Sequence, residues 1–307
     1  MFSVYIKKKG NEGLFKFPWK ISIVGFMANP ATLNGCEIRE TFETIANDLF
    51  FDAIEIHVLS DEQWKVAETV LTSKPLTVIS ALQPIILMQG FNPNSLNEDE
   101  RKKAVQVLKD AIKKSAERGI KSAGLCTGPD PGPENREAAK DALVKSMKEI
   151  LSFAKKVGVF VSLEMFDRDY DKKLLLGPLD EAVEIAKDLK DEFDNFGLLW
   201  DLSHAPMLHE KPEDLGKAKG YLGHIHVGCT KKTDDGLKDW HPGFYRPGAI
   251  NGIEDVKELI KVLNEIEYKG YIGFEVKPEQ GQMWQEVVNA AKGVMYTAYV
   301  KYLEENL

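Results

Sequence analysis

Four short apolar runs in the second half of the chain each end in, or carry near their end, a side chain able to bind a cation or move a proton. Glu164 closes Phe160-Val161-Ser162-Leu163-Glu164, and Asp201 closes Leu198-Leu199-Trp200-Asp201. His226 lies in Gly223-His224-Ile225-His226-Val227, and Glu275 in Ile272-Gly273-Phe274-Glu275-Val276. A carboxylate at the end of an apolar strand is costly to desolvate unless a cation or hydrogen bonds compensate. Each residue alone has an ordinary reading: a glutamate can pair with a lysine, an aspartate can cap a helix, and an interior histidine can be a hydrogen-bonded core residue. Together, Glu164, Asp201, His226 and Glu275 at equivalent heights on four consecutive strands point to one divalent metal. Three carboxylates and an imidazole are hard to borderline ligands, which suits Mn2+ first, then Mg2+ or Co2+, with Zn2+ as an alternative.

Further groups cluster near these strand ends. Asp201 and His204 form D-x-x-H just beyond a strand, so a turn there would let both reach one mouth. Asp239-Trp240-His241 follows the His226 strand; His241 and Trp240 are candidate substrate contacts, with a surface loop as the alternative. His57 shares a strand face with Glu55 and is placed at the same mouth, or in a pairing with a lysine. Cys229 has no neighbour that would activate it as a nucleophile.

The elements that would position these residues are repeated βα units. Strands are expected at 20–26, 53–57, 76–81, 122–125, 160–164, 196–201, 222–227 and 273–276. Helices are expected at 98–118 and 135–157, each ending at a glycine (Gly119, Gly158) that accepts the left-handed conformation. Others are expected at 253–266 and 282–302, with shorter ones starting near Ile38, Asp61, Pro178 and Pro212. Eight units, with no G-x-G-x-x-G after the first strand, favour a closed (β/α)8 barrel over a doubly wound sheet. The expected organisation is a short N-terminal extension, 1–17, followed by one TIM barrel over 18–307. In such a barrel, functional groups gather where the strands end in the C-terminal direction, and there the four ligand-type groups fall.

The motifs Leu163-Glu164, Trp200-Asp201-Leu202-Ser203-His204, His224-Ile225-His226 and Phe274-Glu275 resemble those of the xylose isomerase-like TIM barrel superfamily. The resemblance covers Pro18 to about Tyr302. It includes Asn97-Glu98-Asp99-Glu100-Arg101 opening a long helix. The superfamily contains ketose 3-epimerases, sugar isomerases, inosose dehydratases and AP endonucleases. The resemblance implies that Glu164, Asp201, His226 and Glu275 hold one metal, that Glu164 and Glu275 act as acid and base, and that His204 contacts substrate. Ketose epimerases tend to carry an acidic residue and an arginine after the histidine strand. Here Cys229 and Lys232 stand instead, which leaves Lys232 as the candidate substrate contact and the sugar unspecified.

The function expected is a metal-dependent sugar isomerase or epimerase that removes a proton next to a carbonyl and passes through an enediolate. An inosose dehydratase-like lyase shares the same chemistry up to loss of a hydroxyl. An AP endonuclease is opposed by Cys126 and Thr127, which follow the fourth strand where a metal-binding histidine is needed. It is opposed also by charge: 40 basic against 48 acidic residues give a net of -8, which repels phosphate backbones. The expected substrate is a small sugar or polyol-derived compound, with neither nucleic acid nor membrane as partner; assembly into a homo-oligomer is compatible with the sequence. The absence of an apolar leader or C-x-x-C pair among three scattered cysteines fits a cytoplasmic setting.

Overall fold

The computed structural model describes residues 2–8 and 10–307. The extension forms an antiparallel pair, β1 (Ser3–Lys8) and β2 (Asn11–Lys16), with Val4 opposite Phe15. Its alternation puts Val4 and Ile6 on one buried face, and Phe17 follows in the core. Phe2 stacks on Phe17 and Phe50 at ring separations of 4.8 and 4.9 Å, so the pair is packed onto the barrel rather than trailing from it.

Eight parallel strands then close on themselves. They are β3 (Lys20–Val24), β4 (Ala53–Ile56), β5 (Thr77–Ala81), β6 (Ser122–Cys126), β7 (Phe160–Glu164), β8 (Phe196–Asp201), β9 (Leu222–Val227) and β12 (Tyr271–Phe274). Between the last two lies a small hairpin, β10 (Lys231–Thr233) and β11 (Gly236–Lys238). Closure is made by β12 against β3, with Tyr271 opposite Lys20 and Phe274 opposite Ile23. The fold is a TIM barrel with a short N-terminal extension, as the alternation of the sequence implies.

Period-two alternation divides each strand between helix side and lumen. Val161, Leu163, Leu198, Trp200, Ile225 and Phe274 are buried toward the helices. Phe160, Ser162 and Glu164 face inward on β7. Low in the lumen, a Cβ on Gly223 would lie 2.7 Å from the Phe160 ring and 3.0 Å from Ser162 Oγ. A glycine there makes room for the phenyl plug. β12 begins and ends two residues earlier than expected. Its pairing sets Gly273 opposite His226, and Glu275 follows the strand, its N–H donating to Val227 O at 3.0 Å. The segment from Pro212 is a 3-10 helix ending at Ala218, and short helices at Gly25–Ala28, Gln83–Leu87 and Ala205–Leu208 were not anticipated. No helix among the described residues is long and apolar enough to cross a membrane.

Candidate metal centre and substrate cavity

At the strand ends, one ligand atom from each of Glu164, Asp201, His226 and Glu275 lies within 4.8 Å of the other three. His226 Nδ1 is 2.7 Å from Glu275 Oε2 and 3.7 Å from Glu164 Oε1. All three of those atoms are buried and lack a hydrogen bond of acceptable geometry. Buried polar atoms are rarely left this way. A cation between them would satisfy all three, so the donor set fits one divalent metal of the oxygen- and imidazole-preferring kind.

The remaining atoms of the same side chains are held by the protein. Gln83, on the short helix after β5, donates to Glu164 Oε2 at 2.7 Å. Asp201 accepts from Ser203 N at 2.7 Å and from Ser203 Oγ at 2.6 Å, a tight turn that fixes the carboxylate as the chain leaves β8. Behind His226, Nε2 sits 3.0 Å from Glu55 Oε2, while Glu55 Oε1 meets His224 Nε2 at 2.9 Å and accepts from Ser22 Oγ at 2.6 Å. With Nε2–H donated to Glu55, Nδ1 is left to face the carboxylate cluster. Burial works to raise the Glu55 pKa, yet the two imidazoles outweigh it and hold the carboxyl well below its ordinary range. Burial and the nearby Glu275 charge push Glu164 upward against the His226 contact. Burial acts on Glu275 in the same sense, but His241 and His226 overcome it and lower that carboxyl.

A second network adjoins the first. His204 points Nδ1 at Met165 O, 2.8 Å away, and Nε2 at Asp239 Oδ1, 3.1 Å away. Both ring nitrogens face acceptors, so the ring donates twice and is an imidazolium. His241 is bound the same way, with Nε2 2.7 Å from Asp239 Oδ1 and Nδ1 3.1 Å from Ser203 Oγ, whose own proton goes to Asp201. Its burial is overridden by Glu275 and Asp239, and its pKa stands at about 9. Lys172 Nζ completes the ring of cations at 3.2 Å from Asp239 Oδ2. Lys172 is presented by a loop tied down by Asp167, which accepts from the N–H groups of Tyr170, Asp171 and Lys172 at 2.8, 2.7 and 2.8 Å.

Above the first cluster opens a cavity of about 820 Å3 lined by Glu55, Glu164, His226, Asp239, His241 and Glu275, among others. A model of the family described as xylose isomerase-like TIM barrel matches residues 44–295. The chain belongs to that family.

One curated relative of this xylose isomerase-like barrel is an uncharacterized protein of Methanocaldococcus jannaschii. It is 29% identical over 191 residues, a match spanning 61% of this chain and 61% of that protein. Among solved structures, a D-tagatose 3-epimerase-like protein superposes with a TM-score of 0.73 at 21% identity, covering 94% of this chain and 100% of that one. The IOLI protein with a zinc atom superposes at 0.69 and 17% identity, covering 92% and 99%. The 3-keto-D-glucoside 4-epimerase YcjR from E. coli superposes at 0.66 and 17% identity, covering 92% and 100%.

Within this xylose isomerase-like barrel, the residues expected at the mouth fall into two groups. Glu164, Asp201, His226 and Glu275 converge, and Trp240 and His241 line the cavity. Three others sit elsewhere. His204 is buried behind the wall, holding Asp239 and Met165 O rather than facing the opening. His57 follows the end of β4 and lines a small crevice with Phe26, Ile38 and Phe42, because the chain has turned outward by then. Lys232 is exposed on β10, carried away from the cavity by the hairpin. The lysines that do line it are Lys172 and Lys277. Glu55 pairs with histidines instead of a lysine. Cys229 is buried, its thiol donating to Asn251 O at 3.5 Å, and burial pushes its pKa far up, so it is no thiolate nucleophile.

Proposed function

We propose that this protein is a divalent-metal-dependent sugar isomerase or epimerase, with Glu164, Asp201, His226 and Glu275 as ligands and Glu164 and Glu275 as the proton-transferring pair. The observation that carries the reading is the convergence of those four groups, three of which, Glu164, His226 and Glu275, have buried unpartnered atoms and line a large cavity. The epimerase named among the structural neighbours acts on a sugar, and the zinc in another is consistent with a metal. A bound divalent cation would supply charge stabilisation for a substrate carbonyl oxygen while the neighbouring carbon loses its proton.

The side chains have separate tasks. Gln83 fixes one oxygen of Glu164 and leaves the other to face the cavity cluster. Glu275 arrives from β12, three strands around the ring from β7, so the two carboxylates approach from different sides. That arrangement suits removal of a proton at one face of a planar intermediate and return at the other. His241, held as an imidazolium, sits 3.7 Å from Glu275 Oε1 and favours its ionised, proton-accepting form.

The D-x-H motif at Asp239 and His241 supports this single-metal reading over a multi-metal nuclease. Asp239 already has two imidazoliums and the Lys172 ammonium around it, and no unpartnered atom of its own. The test uses protein reconstituted with Mn2+, which should hold about one ion per chain, a stoichiometry inferred from a single unsatisfied cluster among the described residues. With ketohexoses in deuterated water, solvent deuterium should enter the carbon alpha to the carbonyl. Glu164→Gln and Glu275→Gln should each slow that exchange by about 10²–10⁴-fold. Full exchange in either variant would remove that glutamate from proton transfer and end the two-base reading.

A further inference from the structure

The cavity above the cluster is chemically two-sided, and the strands explain why. Most of the charged lining near the metal ligands comes from β7, β9, β12 and the loops after them, as Glu164, Lys172, His226, Asp239, His241 and Glu275, with Glu55 of β4 and Gln83 after β5 reaching the same floor. The opposite wall comes from the segments after β3 and β5, where the lining above Gln83 is mainly apolar, with Phe26, Met27, Leu33, Ile86, Met88 and Phe91 beside the single amide of Asn92. Its one acidic residue, Glu100, is already engaged by Ser95 Oγ at 2.8 Å. Leu87 and Met88 keep 38% and 68% of their surface in solvent at the rim.

A free sugar has hydroxyls on most of its carbons, and hydroxyls laid against the apolar part of that wall would give up water without gaining a partner. The cavity, about 820 Å3, falls in the upper part of the range that encloses drug-sized ligands. A six-carbon sugar on the carboxylate side leaves most of the space, and the whole apolar wall, unfilled.

We propose that the substrate is a glycoside: a sugar head carrying a ring carbonyl, seated at Glu164 and Glu275, joined to an apolar, aryl or alkyl aglycone that lies on the Phe26–Ile86–Phe91 wall. The inference rests on the sugar isomerase or epimerase reading and specifies its substrate. A ring ketone flanked by CHOH carbons keeps the proton chemistry available, while the glycosidic carbon remains free to bear the apolar group.

The probes are methyl and phenyl 3-keto-β-D-glucopyranoside, titrated calorimetrically against the protein with and without Mn2+. Each buried methylene is worth roughly fourfold in affinity, so the phenyl compound should bind about tenfold or more tightly than the methyl one. Both should bind more tightly with Mn2+ present. Phe91→Ala should collapse the phenyl-to-methyl ratio. Met88→Ser, at an exposed rim position that does not threaten folding, should reduce it. Metal-dependent binding of both probes with equal affinity overturns the aglycone subsite while sparing the sugar reading. Binding of phenol as tight as that of the phenyl glycoside keeps the apolar wall and overturns the sugar head. Binding of neither overturns both.

Discussion

Glu55 shares its two oxygens between two histidines in the centre of the barrel, and one of those histidines is a candidate metal ligand. A carboxylate that accepts Nε2–H keeps Nδ1 free and more basic, the arrangement by which proteins commonly orient a ligating imidazole. Glu55→Gln preserves the shape but replaces one acceptor oxygen with an N–H₂ donor, which faces a donor on His226 or His224. The expected outcome is a loss of metal affinity of about 10–100-fold, measured by competition with a chromophoric chelator. Unchanged affinity would show that His226 is oriented without it. Glu55 also marks where the sequence ceased to be informative. Period-two alternation gives His224 and His226 a common face, but that both meet Glu55 depends on residues 169 and 171 positions apart in sequence coming together across the closed ring. The same distance between sequence and space exchanged Lys232 for Lys172. Following a strand that carries a candidate ligand is a local property, whereas lining a cavity depends on where a loop folds back.

At the scale of elements, two positions show how strands and helices are made to serve the centre. Gly273 lies on β12 opposite His226, and a Cβ there would overlap Glu55 Oε1 and lie 2.8 Å from Ser22 Oγ and 2.9 Å from His226 Cδ2. The strand can close the barrel against β9 only without a side chain at this point. Gly273→Ala is therefore expected to displace Glu55 and lower metal affinity by tenfold or more, by the same loss of orientation that the Glu55 variant suffers. Retention of full affinity would mean the network tolerates the shift. The second position is a helix start. Helix Leu179–Lys190 follows Pro178 and has no side-chain cap of its own. Glu210 supplies one from the next loop, accepting from Leu179 N at 2.6 Å and from Trp200 Nε1 at 3.0 Å. Glu210→Ala strands both donors in a largely buried site and should cost about 1–3 kcal/mol of stability per the usual penalty for an unsatisfied group, read from denaturant unfolding. The helices themselves were legible because apolar periodicity and capping signals are local. Glu210's role was not, since its partners lie on two other elements.

The whole molecule concentrates acidity at one end of the barrel. Glu55, Glu164, Asp201 and Asp239 are all buried there, with Glu275 beside them. Outside that end the chain reads as an ordinary barrel, and eightfold alternation of apolar runs and amphipathic segments was enough to anticipate its closure. The acidic end is different, because desolvated like charges oppose folding unless something of opposite sign binds among them. Asp239 has its cations in direct contact, whereas Glu164 and Glu275 have His226 and His241 beside them and His204 only at 3.9 Å from Glu164 Oε1. A ligand that binds only the folded state stabilises it by about 2.7 kcal/mol at a hundredfold excess over its Kd. For a domain of this length that corresponds to a rise in Tm on the order of 5 °C. Mn2+ should therefore raise the thermal midpoint, EDTA should return it to the metal-free value, and Asp201→Ala should be insensitive to both. His204→Ala is the instructive comparison. His204 holds Asp239 and Met165 O and supplies no atom to the four-atom cluster, although it lies 3.7 Å from Asp201 Oδ2 and 3.9 Å from Glu164 Oε1, so this variant should melt earlier yet keep most of the Mn2+-induced increment. Loss of the increment in His204→Ala would mean that the two networks operate as one centre, and the division between a metal site and a self-neutralised neighbour would have to be redrawn.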